Sequence, residues 1–192
     1  MLIQAKDCRN KLFLRTIPHD KPGWYKWFAP LASVMALLDS KYLCGSFSER
    51  LLPLLSSIDF KGETFYCIYI GLAVKESVQA RLDWHINQKH ALTAVKRGGF
   101  LSTFRRTLSA LVSGDQTDGE ATNKIIDTFL VDYYVKDFAI KSEEARIAIG
   151  AIEREEINLA FSPLNIKDNK RVEAAEFIKE LKKARKNAMP TF

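Results

Sequence analysis

The hydrophobic and polar positions of this chain fall into blocks that change between a strand-like and a helix-like period. Three runs rich in aromatic and β-branched residues predict strands at residues 23–28, 65–71 and 129–135. The second run is apolar on both alternating faces, which is typical of a buried strand. Strict alternation along it places Tyr66 on the opposite face from Tyr69.

Helical spacing of apolar residues predicts six further elements. Ser142, followed by two glutamates, is typical of a helix start, whereas Pro53 is expected to bend or restart the helix that contains it. The order of elements is that of an α/β (α+β) protein. The predicted helices cover residues 31–38, 46–55, 77–90, 102–111, 142 to about 161, and 171–187.

Length and composition favour one compact unit. The 192 residues, 47% of them hydrophobic, can bury one sizeable core, and no repeat or low-complexity linker divides them. We therefore expect a single domain over residues 1–192. The net charge of +6 favours a polyanionic partner, although many unrelated proteins share such an excess.

The cysteines and the apolar runs bear on the compartment. Cys8, Cys44 and Cys67 are odd in number and form no CxxC pair, so neither a zinc site nor a disulfide framework is indicated. The N-terminus lacks the apolar segment of a signal peptide, and the longest apolar runs are too short to span a bilayer. We expect a cytoplasmic protein with no membrane segment.

Two tyrosines lie on separate predicted strands, Tyr25 on the first and Tyr69 on the second. If these strands pair, both phenols can project into one site. Hydrolysis of a phosphodiester needs an activated water and a cation that offsets charge in the transition state. Tyrosines can orient or deprotonate such a water, although taken singly each is more often a packed core aromatic.

Cationic and acidic candidates follow on predicted helices. Arg81 and His85 are one turn apart on the same helix face and suit a phosphate clamp, although solvated surface residues have the same spacing. Glu153 offers the hard oxygen ligand that magnesium or manganese prefers. Helical periodicity alone does not exclude Glu156 in this role.

A basic segment lies between the second and third predicted strands. Glycines, hydroxyls and four cations at the start of a helix suit phosphate contact, although a merely solvated basic loop has the same composition. The lysine-rich C-terminal helix is interpreted as a solvated face. The predicted nucleic-acid contacts are Lys96, Arg97, Ser102, Thr103, Arg105 and Arg106.

The order of these motifs resembles the GIY-YIG nucleases. Residues 23–25 (GWY) look like the first motif of the family with tryptophan in place of isoleucine, and residues 69–71 (YIG) match the second letter for letter. The two motifs are farther apart here than in compact members. The resemblance therefore implies a helical insertion at about residues 30–60.

Downstream residues resemble the restriction-endonuclease-type branch of that family. Arg81 and His85 look like its arginine helix, and Glu153 with Asn165 resembles its metal-binding glutamate and distal asparagine. The resemblance implies a small central antiparallel or mixed sheet of about three strands flanked by helices. The core would cover about residues 23–165, with a basic helix at about 171–187 behind it.

The resemblance also implies a mechanism and a substrate. The expected reaction is hydrolysis of DNA, double-stranded in the first instance, with one Mg²⁺ or Mn²⁺ held by Glu153. Tyr25 would act as general base or position the water, with support from Tyr69. Arg81 and His85 would contact the scissile phosphate, and Asn165 would order the site.

Two other functions stay open at this point. One is a non-catalytic nucleic-acid-binding module on the same fold, which the filled catalytic positions disfavour. The other is an interaction protein that uses the insertion helices between Leu31 and Leu55, an arrangement that would suit a homodimer. The sequence alone leaves the recognition sequence and the oligomeric state undetermined.

Overall fold

A computed structural model describes residues 1–91, 101–167 and 169–190 of the chain. Within them the strands form one antiparallel sheet of five, in the order β1-β5-β2-β4-β3. The three predicted strands are the middle three of the sheet. The prediction of about three strands was wrong, because the sheet also has two short edge strands. The strands are β1 (Leu2–Gln4), β2 (Gly23–Pro30), β3 (Ser57–Phe60), β4 (Glu63–Ala73) and β5 (Leu130–Val135).

Eight α-helices surround this sheet in the described ranges. Short 3₁₀ turns lie at Ala5–Arg9, Leu52–Leu54 and Val172–Ala174. No helix in the described part of the chain is long and apolar enough to cross a membrane. The helices are α1 (Lys11–Leu14), α2 (Leu31–Leu38), α3 (Ser48–Leu51), α4 (Val78–Asn87), α5 (Thr103–Val112), α6 (Gly119–Ile126), α7 (Glu143–Leu159) and α8 (Ala175–Asn187).

Side-chain caps explain where the helices around the site begin. Ser77, Ser102 and Ser142 each accept a hydrogen bond from the backbone N–H three residues later, at the starts of α4, α5 and α7. These starts agree with the predicted ones. Each cap satisfies a donor that the helix itself leaves unpaired.

The predicted helix at 46–55 is shorter than expected. Pro53 lies in a 3₁₀ turn that replaces the second half of this helix, as its missing N–H requires. The start of α3 is held by Asp39, whose carboxylate accepts hydrogen bonds from Ser46 and from the N–H groups of Phe47 and Ser48. Although burial raises the pKa of Asp39, these hydrogen bonds lower it to about 2.

Helices cover both faces of the sheet. The larger apolar cluster includes Trp27, Phe104 and Phe129, whereas Ile157 of α7 packs against the opposite face. The helices of the insertion contribute to the larger cluster through four residues that are at most 2% exposed. These are Val34, Leu37, Leu38 and Leu51.

The insertion also contacts the C-terminal helix. Just before α3, Phe47 packs edge-on against Phe177 of α8, with 5.3 Å between ring centroids.

The two tyrosine strands are neighbours in spite of the insertion. In the β2–β4 register Trp27 faces Tyr69 and Phe28 faces Cys67, so one residue of β4 is extra and forms a β-bulge. The bulge reverses the phase of alternation. Tyr66 and Tyr69 both pack against the larger apolar cluster, and the prediction that they lie on opposite faces was wrong.

Candidate active site

One cavity of about 440 Å³ brings together all six residues predicted as catalytic. It lies where β3 no longer covers the outer edge of β4, and α4, α5 and α7 supply the remaining walls. Five of these residues lie on four different elements and the sixth lies in a loop, so the fold brings them together. They are Tyr25 of β2, Tyr69 of β4, Arg81 and His85 of α4, Glu153 of α7, and Asn165 from the segment after α7.

Glycine makes the room that Tyr25 occupies. Gly71 is the register partner of Tyr25 across the β2–β4 pair, and a Cβ atom at Gly71 would lie 2.5 Å from the phenol oxygen. Gly23 is constrained in the same way, because a Cβ there would lie 1.8 Å from the carbonyl oxygen of Tyr134. Both motif glycines are therefore required by the close approach of other groups.

A buried chain of hydrogen bonds fixes the phenol of Tyr25, which is 2% exposed. Its oxygen lies 2.6 Å from Nε2 of His85, and Nδ1 of His85 lies 2.9 Å from the hydroxyl of Ser102. Both ring nitrogens of His85 are thus engaged inside the protein. Burial, together with the nearby Arg81 and Arg105, holds the pKa of His85 well below its usual 6.5.

The phenols are protonated at neutral pH. Burial raises the pKa of Tyr25 well above 10; the neighbouring Tyr69 raises it further, whereas Arg81 lowers it. Burial and the carboxylate of Glu153 raise the pKa of Tyr69 to about 12. The two rings are 6.5 Å apart between centroids. Added positive charge in the cavity would favour loss of a phenol proton.

Arg81 is oriented by a residue that the sequence did not indicate. Its Nε lies 2.8 Å from a carboxylate oxygen of Glu76, and its guanidinium lies over the ring of Trp84 at 4.8 Å from the centroid. Glu76 stands in the turn between β4 and α4. The spacing of residues in the sequence does not predict an ion pair between a carboxylate just before a helix and an arginine within it.

The structure separates the two candidate metal ligands. Glu153 lines the cavity, whereas an oxygen of Glu156 lies 2.6 Å from Nζ of Lys26, which alternation places on the other face of β2 from Tyr25. Among the described residues that line the cavity, Glu153 is the only carboxylate. No group of three or more His, Cys, Asp or Glu in the described ranges could hold a metal.

Asn165 completes the free edge of β4. Its side-chain oxygen accepts a hydrogen bond from the N–H of Ile70 at 2.8 Å, and its amide donates to the carbonyl of Ile70 at 2.7 Å. The adjacent N–H of Leu164 donates to the carbonyl of Ile68. The Asn165 side chain and the Leu164 backbone together therefore act as a strand would, on both sides of Tyr69 in the bulge.

Arg105 was wrongly predicted to contact nucleic acid. It is 0% exposed, because its guanidinium donates to the carbonyls of His85 and Ile86 at the end of α4 and to Asn123. Its Nε donates to Nε2 of His90. Arg105 thus satisfies carbonyls that the last turn of α4 leaves unpaired.

His90 belongs to the same buried network. Nδ1 of His90 donates to the carbonyl of Gln116, and Nε2 accepts from Arg105, so the ring is neutral. Burial and the charge of Arg105 lower the pKa of His90 to about 4.

The other predicted nucleic-acid contacts divide into three kinds. Ser102 is 2% exposed and caps α5 while bonded to His85, whereas Thr103 and Arg106 line the cavity with more open side chains. Lys96 and Arg97 lie outside the described residues.

Comparison with protein-family models gave a match to the GIY-YIG catalytic domain over residues 23–187. The chain belongs to the GIY-YIG family. A GIY-YIG domain makes the protein a nuclease, a hydrolase whose substrate is a nucleic acid. GIY-YIG nucleases are generally dependent on a divalent metal. No curated protein and no solved structure matched the chain.

Proposed function

We propose that this GIY-YIG protein is a metal-dependent DNA endonuclease of the restriction type. The observation that carries the proposal is the convergence of Tyr25, Arg81, His85 and Glu153 on one cavity. The net charge of +6 and the presence of Arg106 in the cavity wall favour a polyanion as large as double-stranded DNA. The presence of both Glu153 and Asn165 in the cavity wall supports the restriction-type assignment.

Tyr25 orients the attacking water and takes part in its deprotonation. As the water oxygen bonds to phosphorus, a water proton passes to the Tyr25 oxygen, and the phenol proton passes to Nε2 of His85 over the 2.6 Å hydrogen bond. The bond from phosphorus to the leaving oxygen breaks on the opposite side, and that oxygen takes a proton from solvent. Nδ1 of His85 carries a hydrogen throughout and donates to Ser102, so the ring becomes an imidazolium and returns the extra proton to solvent through Tyr25 after the product leaves.

The charge of a bound phosphate explains why the proton transfer from Tyr25 to His85 requires the substrate. In the free protein the shifted pKa values keep Tyr25 and His85 neutral. The negative charge of a bound phosphate would raise the affinity of His85 for a proton. His85 therefore acts through Tyr25, a role that differs from the phosphate contact expected for it from sequence.

Arg81 supplies the phosphate contact. Its guanidinium can donate two parallel hydrogen bonds to phosphate oxygens, and Glu76 and Trp84 restrict its orientation. Tyr69 packs beside Tyr25 and supports the position of its ring.

Glu153 would hold the divalent cation, Mg²⁺ or Mn²⁺. One carboxylate, completed by waters and substrate phosphate, is a common ligand set for Mg²⁺, so the residues that line the cavity fit this ion. When bound, the cation supplies charge neutralisation at the phosphate and lowers the pKa of water.

The test is cleavage of supercoiled plasmid and of phage DNA with Mg²⁺, Mn²⁺ or chelator. Glu153→Gln and Tyr25→Phe should each lower the cleavage rate by about 100-fold or more, while DNA affinity is kept. Glu155→Gln is the matched control, because Glu155 is exposed on the same helix and loses the same charge.

Each result has a clear meaning. Metal-dependent cutting that only the control retains supports the proposal, and discrete fragments support the restriction type. Cleavage of RNA but not DNA would refute the substrate. A folded protein that binds DNA but cuts no nucleic acid would be a non-catalytic binding module.

A further inference from the structure

Arg185 differs from the other cations of the basic helix α8. Lys182, Lys183 and Lys186 are exposed, as expected for a solvated face, whereas Arg185 is half-buried. Its Nε atom is buried and forms no hydrogen bond within the described residues. A buried guanidinium donor without an acceptor is unfavourable, which favours a partner outside the protein chain.

A second arginine lies next to it. Arg106 of α5 lines the catalytic cavity and is the group whose charge, after burial, most lowers the pKa of Arg185. Tyr69, another residue of the cavity wall, acts on Arg185 in the opposite direction. Helix α5, which carries Arg106, packs against helix α8, which carries Arg185.

A buried glutamine is hydrogen-bonded to both arginines. Gln116 is 1% exposed; its side-chain oxygen accepts a hydrogen bond from Nε of Arg106 at 3.2 Å. Its amide nitrogen donates to the main-chain oxygen of Arg185 at 2.6 Å. The site is thus built on α5, α8 and the loop that precedes α6.

No carboxylate of residues 1–91, 101–167 or 169–190 forms an ion pair with Arg106 or Arg185. Lys167, which also lines the cavity, adds to the positive charge. Two like charges held together at a half-buried site repel each other until an anion joins them.

We propose that Arg106 and Arg185 form a binding site for a backbone phosphate of the substrate strand, on the α5–α8 wall of the cavity. This phosphate is distinct from the scissile one, which Arg81 contacts from the α4 wall. Paired guanidiniums match phosphate oxygens in geometry and charge. The inference rests on the proposed nuclease function, since the cavity must hold a nucleic acid for it to apply.

The test measures binding of a fluorescently labelled DNA duplex by anisotropy, with chelator present so that no cleavage occurs. Arg106→Gln and Arg185→Gln should each weaken binding by about 10-fold. Each should also reduce the slope of log K against log salt by about 0.9, the value for one phosphate contact. Lys182→Gln, an equal loss of charge on the exposed face of α8, should change affinity by less than about 2-fold.

Thermal melting separates this role from a structural one. Substitution of Arg185 leaves the hydrogen bond from Gln116 in place, because that bond goes to the main chain. Since the change relieves repulsion, the melting temperature of Arg185→Gln should be unchanged or higher. Arg185→Lys keeps the charge but loses the planar guanidinium, so its DNA affinity should lie between those of the wild type and Arg185→Gln.

Two results would overturn the inference. If wild-type protein binds and cuts DNA while both glutamine variants keep its affinity and salt slope, the paired arginines bind no phosphate and the nuclease proposal stands. If wild-type protein neither binds nor cuts DNA, the proposed function fails and the inference fails with it.

Discussion

Gly71→Ala would introduce a methyl group directly against the ring of Tyr25. The added carbon would lie 2.5 Å from the phenol oxygen, 2.6 Å from Cζ and 2.8 Å from Cε2. Ordinary contact begins at about 3.5 Å, so the ring must move by about 1 Å. The bond of 2.6 Å to His85 would be stretched to its limit or lost by such a shift.

The expected loss of stability is about 2–4 kcal/mol. Overpacking of a filled core costs about 1–3 kcal/mol, and a lost hydrogen bond adds about 1 kcal/mol. For a chain of this size the melting temperature should fall by roughly 5–15 °C. Cleavage should fall by about 100-fold in variant protein that is still folded, because a displacement of 1 Å misplaces the catalytic group.

A double-mutant cycle with Tyr25→Ala isolates the clash. Once the ring is absent, Gly71→Ala should cost much less, so the two changes should couple by about 2 kcal/mol in urea denaturation. Gly150→Ala in α7 is the control, since its methyl would meet only Arg154 at 3.6 Å and helical alanine is favourable. Equal costs of Gly71→Ala in both backgrounds would refute the steric argument.

Three further results are expected. Asn165→Leu, which leaves the N–H and carbonyl of Ile70 without their side-chain partner, should lower the free energy of unfolding by about 2–4 kcal/mol, and an unchanged urea midpoint would contradict this. A thiol reagent should modify only Cys44 in the folded protein, because the other two cysteines are buried and burial raises their pKa to about 12; three rapid modifications would contradict this. The pKa of His90 is lowered from 6.5 to about 4, so between these pH values the unfolded state binds a proton that the folded state does not. The stability of the protein should therefore fall as the pH drops from 6.5 to about 4. His90→Gln should show a shallower fall in urea midpoint over this range, and an equal fall would exclude His90 as a cause.

The sequence was a good guide wherever local chemistry decides the structure. Ser77, Ser102 and Ser142 cap helices at the predicted positions, since an N-cap depends only on the residues that follow it. The three central strands were also predicted, because buried strands carry long apolar runs. The edge strands β1 and β3 are only three and four residues long and carry no such run.

What the sequence did not predict depends on contacts between distant residues. The β-bulge that turns Tyr66 to the side of Tyr69 is a property of the pairing with β2 and leaves no mark in β4 itself. Arg105 and Arg106 look alike in a basic segment, yet one is fully buried and the other lines the cavity. Arg105 is set apart by the carbonyls at the end of α4, to which its guanidinium donates.

The six catalytic candidates remain predictions, and what the structure adds is that all of them line one cavity. Glu153 and Glu156 could not be distinguished by helical periodicity, and the pairing of Glu156 with Lys26 was needed to separate them. Glu76 and Arg185 belong to no motif, so they emerged only from the packing around Arg81 and Arg106.

The contact of Phe47 with Phe177 has a consequence for how this chain can vary. It joins the insertion to the helix that carries Arg185. A deletion that shortened the insertion towards the length found in compact relatives would leave Phe177 without support. The spacing between the two tyrosine motifs and the C-terminal helix are therefore expected to change together in evolution, as one unit rather than as a loop and a tail.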